Sequence, residues 1–379
     1  MVQLQRRDFL AGAGALGAWL ISGAGCGYYP AESGDAYAPW DALEGEADPI
    51  RRAARAALLA ASPHNIQPWR FALGADVIDV FVDPARSLRT MDGLDREKFI
   101  GLGCAVENLI VSARHSGLMP VLSWFPDAAN SQRVARVALS RGTGPDERLF
   151  EQVKRRHTYR GEMASESIPG LLGALQAEVT DAAVGITVLD RGPAFDRFRA
   201  ETIAATRAIV DDIEMNEDSD RWFRHTYQEI ERERDGVTID ASGSDAGLRF
   251  LAKSASRSSA KESGEYWVSF TEGRQTTASA FVLLSSERRD SREQQLRVGR
   301  AYQHLHLWAT SQDLVMQPLN QLPERQDREQ VLALEPRFSR VLAELSGRPE
   351  SSVQLAFRIG VAWDEAKKSP RRPLEWVMR

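Results

Sequence analysis

Residues Leu94 to Pro120 read LDREKFIGLGCAVENLIVSARHSGLMP, and residues Asp290 to Pro318 read DSREQQLRVGRAYQHLHLWATSQDLVMQP. With Arg96 set against Arg292, Glu97 meets Glu293, Gly103 meets Gly299, Ala105 meets Ala301, Leu109 meets Leu305 and Ala113 meets Ala309. Apolar residues recur at helical spacing in both segments. A glycine inside a helix costs about 1 kcal/mol relative to alanine, so the same glycine placed twice points to closely packed helices. The pair predicts an internal duplication.

The strands fit that plan. VIDVFVD from Val77 and RVARVALSRG from Arg133 alternate apolar and polar residues. GITVLDR from Gly185, ASAFVLLSS from Ala278 and VQLAFRIGVA from Val353 are β-branched or apolar runs. Helices rich in Ala and Leu separate them. The expected fold class is α+β, with two similar lobes of helices around a few strands. The first half is expected at 49–150 and the second at 151–379. Between Ile203 and Phe270 the echo breaks and the chain turns polar, yet it keeps Trp222, Phe223, Tyr266 and Trp267. An insertion over about 204–270 is expected to form a lid over a pocket.

Composition narrows the function. The chain has 379 residues and a net charge of -5, and its basic residues are scattered, which argues against a nucleic-acid surface. Two cysteines cannot build a disulfide framework or a structural zinc site, and the six histidines do not cluster at ligand spacing, so no metal is expected. The opening MVQLQRRDFLAGAGALGAWLISGAGCG carries Arg6 and Arg7 ahead of Phe9 and Leu10, then a short apolar run. It resembles a twin-arginine export signal over residues 1–26, which implies the twin-arginine export machinery as a partner and a location in the periplasm or on the outer face of the membrane. Cys26 stands where a lipoprotein cysteine stands, so a lipid there is one reading and an unlipidated signal the other. Residues 27–48 read as a flexible spacer. The twin-arginine route moves folded proteins, which favours a tightly held organic cofactor.

The helix-forming run RRAARAALLA is followed at Ala61 to Trp69 by ASPHNIQPW. A plain helix stop explains the prolines but not Asn65, Gln67 and Trp69 together. The stretch resembles the Pro/Ser-x-x-Asn-x-Gln-Pro-Trp motif of the nitroreductase family of FMN-binding proteins. The resemblance implies that Ser62, Pro63, Asn65 and Gln67 lie against FMN and that Trp69 anchors the next strand. RRHTYRGEMASESIP from Arg155 is similar to the family's basic opening segment, which implies Arg156, His157, Thr158 and Arg160 as holders of the phosphate and the polar atoms of the cofactor. Guanidinium groups and a hydroxyl suit a phosphate. VMQPLNQLPE from Val315 occupies the place of the loop beside the flavin ring edge, implying Pro318, Leu319, Asn320 and Gln321. SPRRPLEWVM near the end implies a further phosphate contact from Arg371, or from Arg372. The Glu-Gly pair of simple nitroreductases is absent here.

In that family a homodimer builds each flavin site from two subunits. Here the first half supplies SPHNIQPW and the second supplies RRHTYR, MQPLNQ and PRRPL. The order resembles the Acg subgroup of nitroreductase-like proteins, which are fused pseudo-dimers, and implies one composite site in a monomer with its mirror site lost. The expected function is an FMN-dependent oxidoreductase. It would pass hydride through flavin N5 from a small-molecule donor to a nitro, quinone or similar acceptor, with no catalytic side chain. The alternatives are a flavin storage or sequestration protein with little turnover, and an exported protein with a structural role.

Overall fold

A computed structural model describes residues 29–142, 147–349 and 352–379. The expected export signal over residues 1–26 and its Cys26 lie outside the described residues.

The first half begins with helix α1, Pro49–Leu58. Asp48 caps it by accepting from the Ile50 and Arg51 amides (2.8 and 3.4 Å), and Pro49 fills the first turn, where its missing N–H costs nothing. Strands β1 (Trp69–Leu73) and β2 (Val77–Val82) follow, then helix α2 (Arg96–His115), β3 (Leu118–Trp124) and β4 (Arg133–Arg141). The sheet order is β1-β2-β4-β3, antiparallel throughout. Strand β3 has no counterpart in the sequence expectation, and β1 answers only to the strand that the resemblance implies at Trp69. Strand β3 holds Pro120 and exposes every second residue, as an edge strand does.

The second half repeats the plan. Helix α3 (Leu171–Glu178) leads to β5 (Gly185–Leu189). Five helices intervene: α4 (Pro193–Asp211), α5 (Ile213–Asp220), α6 (Tyr227–Glu233), α7 (Ala246–Ser254) and α8 (Ala260–Phe270). Then come β6 (Ala280–Ser285), α9 (Arg292–Ser311), β7 (Val315–Pro318), α10 (Gln321–Leu332), α11 (Arg337–Ser346) and β8 (Val353–Gly360). The order β5-β6-β8-β7 is the first sheet's order, position for position, and it is again antiparallel. The polar stretch thus begins earlier than residue 204. It starts with α4, whose Phe198 and Ala205 pack on the second sheet as a structural layer, and the covering part begins at α5.

Helices α2 and α9 cross at their glycines. A Cβ on Gly103 would lie 2.1 Å from the Leu296 carbonyl oxygen, and one on Gly299 would lie 2.0 Å from the Ile100 carbonyl oxygen. Every residue of α2 from Arg96 to Ala113 is buried. The residues beside the crossing are polar but matched. Gln303 donates to Asn108 (2.8 Å), Arg300 donates to Glu107 (2.8 Å), and His304 bridges Glu107 (3.1 Å) and Glu178 (3.0 Å). One hydrophobic core spans both halves through these helices. A second lies on the far face of the second sheet, where Phe281 and Leu283 of β6 meet Phe338 and Leu342 of α11. Burial on both faces explains why β6 and β8 are apolar runs.

Residues 29–48 are not the expected flexible spacer. Asp35–Trp40 form a short 3-10 helix that buries Ala36, Tyr37 and Trp40. Trp40 Nε1 donates to the Ser369 carbonyl (2.8 Å), and the Arg371 amide donates to the Ala36 carbonyl (2.8 Å). Two buried rings outweigh the Gly, Ser and acidic residues that made the segment look loose.

Two outcomes test the crossing. Gly299→Ala would gain about 1 kcal/mol from helix propensity alone. Here it is expected to destabilise by about 2 kcal/mol in urea unfolding, because its methyl meets backbone; stabilisation would contradict the contact. For His304, burial acts downward, but the bonds and charges of Glu107 and Glu178 outweigh it and raise its pKa above the ordinary 6.5. A raised folded value means the stabilisation is complete below pH 6.5 and is lost as pH climbs through the folded pKa. The melting temperature of the wild type should therefore fall across that window, and His304→Gln should remove that fall.

Candidate active site

A cavity of about 470 Å³ lies between the two-helix core and the insertion. Its floor is Ile100, Gly101 and Cys104 of α2 with Tyr302 of α9. Ser62, Pro63 and His64 form one side, Thr158 and Arg160 a second, and Pro318, Asn320 and Gln321 a third. The insertion roofs it with residues such as Ser219, Tyr266 and Trp267. Segments from both halves therefore share one cavity.

The opening turn shows how its sequence works. His64, Asn65 and Gln67 all have positive φ (44°, 57° and 50°), a conformation costly for non-glycine residues. Interactions around the turn hold it. The Gln67 amide donates to Ser62 Oγ (3.0 Å), and Asn65 Nδ2 donates to the carbonyls of Gly236 (3.1 Å) and Pro370 (2.9 Å). Asn65 Oδ1 accepts from Arg371 Nη1 (2.7 Å). Gln67 Nε2 donates to the Arg234 carbonyl (2.9 Å), and its Oε1 accepts from the Arg372 amide (2.9 Å). Gly101 leaves room for the turn, since a Cβ there would meet Pro63 and Ser62 at 3.1 and 3.2 Å.

The expected residues thus divide. Ser62, Pro63, Thr158, Arg160, Pro318, Asn320 and Gln321 line the cavity. Asn65 and Gln67 do not. Their amide groups tie the turn to the insertion and to residues 370–372. Leu319 turns away into the second core, and its amide is spent on the Ala356 carbonyl (2.8 Å). Arg156, His157 and Arg371 lie behind the wall. Arg156 and Arg371 both donate to the Leu59 carbonyl (3.0 and 3.5 Å), so two guanidinium groups are neighbours. Arg371 also stacks over Trp40 at 4.9 Å, and His157 meets the same ring at 4.5 Å. Arg372, the other candidate at this place, has Asp83 at 3.9 Å.

Charge distinguishes this corner. Among the described residues no carboxylate pairs with Arg156, Arg160 or Arg371; Arg160 donates to the Ala241 carbonyl (3.1 Å), and Arg371 donates, besides Leu59, to the Ala60 carbonyl (3.2 Å), the Pro370 carbonyl (3.0 Å) and Asn65. Arg156 Nε and Arg371 Nε are buried with no partner, and so is the Tyr302 hydroxyl on the floor. Burial and the neighbouring Arg156 push Arg160 down to about 10, although Tyr302 acts against this. Burial and Arg160 push His64 down to about 4, and burial with Arg156 holds His157 and His306 well below 6.5. The histidines are neutral, and the arginines carry an unbalanced positive charge. A buried charge without a partner costs about 3–5 kcal/mol, so this corner favours an anion.

Sequence reasoning missed several groups. His64, Glu97, Tyr302 and Glu324 all reach the cavity. Arg358, fully buried in β8, donates to Gln317 Oε1 (2.8 Å) and to the carbonyls of Gly161 (2.7 Å) and Thr277 (2.8 Å), fixing two walls to the sheet. An arginine inside the apolar run VQLAFRIG was the available signal.

The equivalent positions on the second central helix carry arginines. The offset of 196 residues that sets Gly103 on Gly299 sets Gly101 on Arg297 and Cys104 on Arg300. Arg297 bonds Glu293 (2.8 Å) and Asp181 (2.9 Å), and Arg300 bonds Glu107.

No protein-family model matches the chain. Among curated proteins it is similar to "Putative NAD(P)H nitroreductase Rv3131" of Mycobacterium tuberculosis, 27% identical over 180 residues, covering 47% of this chain and 52% of that protein. It is also similar to "Putative NAD(P)H nitroreductase acg" of the same organism, 29% identical over 93 residues, covering 24% of this chain and 28% of that protein. The chain thus spans about half the length of the first of these relatives. Among solved structures, the FMN-dependent nitroreductase NfnB from Mycobacterium smegmatis, in complex with NADPH, aligns with 62% of this chain and 97% of its own, with a TM-score of 0.39 and 17% identity.

The bonding of Asn65 yields a test that needs no ligand. Asn65→Ala removes one acceptor from Arg371, which keeps the Ala60 and Pro370 carbonyls, and removes the amide donor to the Gly236 and Pro370 carbonyls, so a loss of about 2 kcal/mol is expected. Hydrogen exchange should quicken at residues 234–238 and 370–372. Unchanged stability and exchange would mean that Asn65 serves a ligand alone.

Proposed function

We propose that the chain is an FMN-binding, nitroreductase-like oxidoreductase with one composite site, arranged as in the fused pseudo-dimers of the Acg subgroup. The observation that carries this reading is the joining of Ser62 and Pro63 from the first half with Thr158, Arg160 and Pro318–Gln321 from the second around one cavity. Similarity to proteins named NAD(P)H nitroreductases supports it.

The residues present fit the cofactor. Its phosphate needs positive charge that no acid already neutralises, and Arg160, with Arg156 and Arg371 behind it, supplies that charge. The Thr158 hydroxyl and the orphaned Tyr302 hydroxyl add donors on the same flank. Pro318, Asn320 and Gln321 offer the wall for a ring edge. When bound, FMN supplies two-electron transfer between a nicotinamide donor and a nitro or quinone acceptor. The protein's part is to hold the anion, to keep His64 and His157 neutral beside it, and to exclude water with the insertion. His64 Nε2 lies 3.1 Å from Ser219 Oγ of α5, and Arg86 donates to the Ile66 carbonyl (2.6 Å) while pairing with Asp235 of the insertion, so roof and turn are bolted together.

Titrating the purified protein with FMN should quench flavin fluorescence, and Arg160→Ala should weaken binding at least tenfold, since a hydrogen bond to a charged group contributes about 1.5–3 kcal/mol. Bleaching by NADPH and recolouring by a quinone or nitro compound marks an oxidoreductase. Binding without either change marks a flavin-holding protein. A protein that ignores FMN contradicts both.

A further inference from the structure

The cavity has a second charged flank that the cofactor reading leaves unused. Glu97 on the first turn of α2 and Glu324 on the first turn of α10 both line it, and they are 4% and 5% exposed. They belong to one buried network. Arg96 Nε donates to Asp327 (2.8 Å) and Arg96 Nη2 to Glu97 (3.1 Å), while Arg289 pairs with Asp327. Asp92 caps α2, accepting from the Glu97 amide (3.1 Å) and the Lys98 amide (2.9 Å). Four carboxyl groups thus share the two guanidinium groups of Arg96 and Arg289.

The other charges nearby are engaged elsewhere. Lys98 pairs with Asp95, Arg325 and Arg328 pair with Asp212, Arg328 also pairs with Glu214, and Arg292 donates to the Leu94 carbonyl (2.6 Å). His64, in the opposite wall, is neutral. Two like charges cannot share a dry site cheaply, so the network retains protons. Burial drives each acid upward: Asp92 to about 6 with Arg96 opposing, Glu97 to about 7 with Arg96 opposing, and Glu324 well above the carboxylate range with Glu97 adding to the rise. Asp327 is held low by Arg96 and Arg289 against its burial.

A second observation points to a ligand. Glu324 Oε2 is buried without a partner, and so is Oε1 of Gln321, one turn earlier in the same wall and 4% exposed. A carboxylic acid that keeps its proton is a donor, and among the described residues no hydrogen bond engages Oε2 of Glu324. An oxygen atom of a bound ligand would complete it.

We propose that Glu324 is a catalytic acid of this cavity, with Glu97 as a positioning residue behind it, and that its O–H serves the oxygen of a quinone-type acceptor. This rests on the flavin reading for the source of electrons. With hydride supplied by bound flavin, a quinone would become a hydroquinone monoanion. The Glu324 O–H bond breaks, its proton forms the second O–H bond of the hydroquinone, and the carboxylate left behind regains a proton from water.

The test uses the full chain and two readouts. Infrared spectra of the protein without cofactor should show a protonated carboxylic-acid band at neutral pH that Glu324→Gln diminishes; absence of the band, or no change in the variant, overturns the proposal. The protein is then loaded with FMN, reduced with dithionite, and mixed with 1,4-benzoquinone or with ferricyanide, which takes electrons without protons. Glu324→Gln should lower the ratio of quinone rate to ferricyanide rate about 100-fold, the scale of general-acid catalysis. The wild-type quinone rate should fall as pH rises through the range in which Glu324 ionises. Equal slowing of both oxidants means a structural role and overturns the proposal. Failure to take up FMN overturns the flavin reading and the reduction step with it, while the infrared band still decides whether this wall carries a proton.

Discussion

The structure depends on backbone meeting backbone where Gly103 of one central helix touches Gly299 of the other. The near approach brings two similar four-stranded halves onto one core and sets a pseudo-twofold relation between them. Such a relation generates two equivalent hollows beside the helix pair. Small residues, Gly101 and Cys104, keep one open. Arg297 and Arg300 occupy the equivalent places on the other side and are tied to Glu293, Asp181 and Glu107. Side-chain size at two positions therefore distinguishes the two sides of the helix pair.

The open hollow is electrically polarised. One flank carries Arg160, with Arg156 and Arg371 behind it and no acid to balance them. The other carries Glu97 and Glu324 in a network with more carboxyl groups than cations. Both flanks are destabilising as they stand. The surrounding structure holds them in place. Trp40 stacks beneath Arg371, the Asn65 and Gln67 amides clamp the C-terminal segment, and Arg358 donates to the carbonyl groups of Gly161 and Thr277. An anionic group at one end and an acceptor oxygen at the other would relieve both imbalances.

Much of this was legible in the chain. The repeated glycine announced the helix contact, because a glycine in mid-helix needs a reason. Strands β2, β4, β5, β6 and β8 were legible from alternation or from unbroken apolar runs. Strand β1 is short and hidden behind the prolines of the Asn65 turn, β3 carries Pro120, and β7 spans four residues, so none has a clear period. Of the residues of SPHNIQPW, Ser62, Pro63 and His64 line the cavity, and the partners of Asn65 and Gln67 were not foreseeable. Asn65 and Gln67 bond to residues about 170 and 305 positions away, a relation no local pattern carries. The packed stretch from Tyr29 was misread because composition suggested a linker, whereas Tyr37 and Trp40 decide its burial. Glu97 was read only as half of an echoed pair with Glu293. It shares its buried helix with Arg96, Lys98 and Glu107, so no local pattern set it apart.

The central claim is that both halves of one chain build a single flavin site while the mirror site is closed. Native mass spectrometry of the full chain after incubation with excess FMN measures this directly. One flavin per single chain is expected. Two flavins per chain, or flavin bound only when two chains associate, would contradict it.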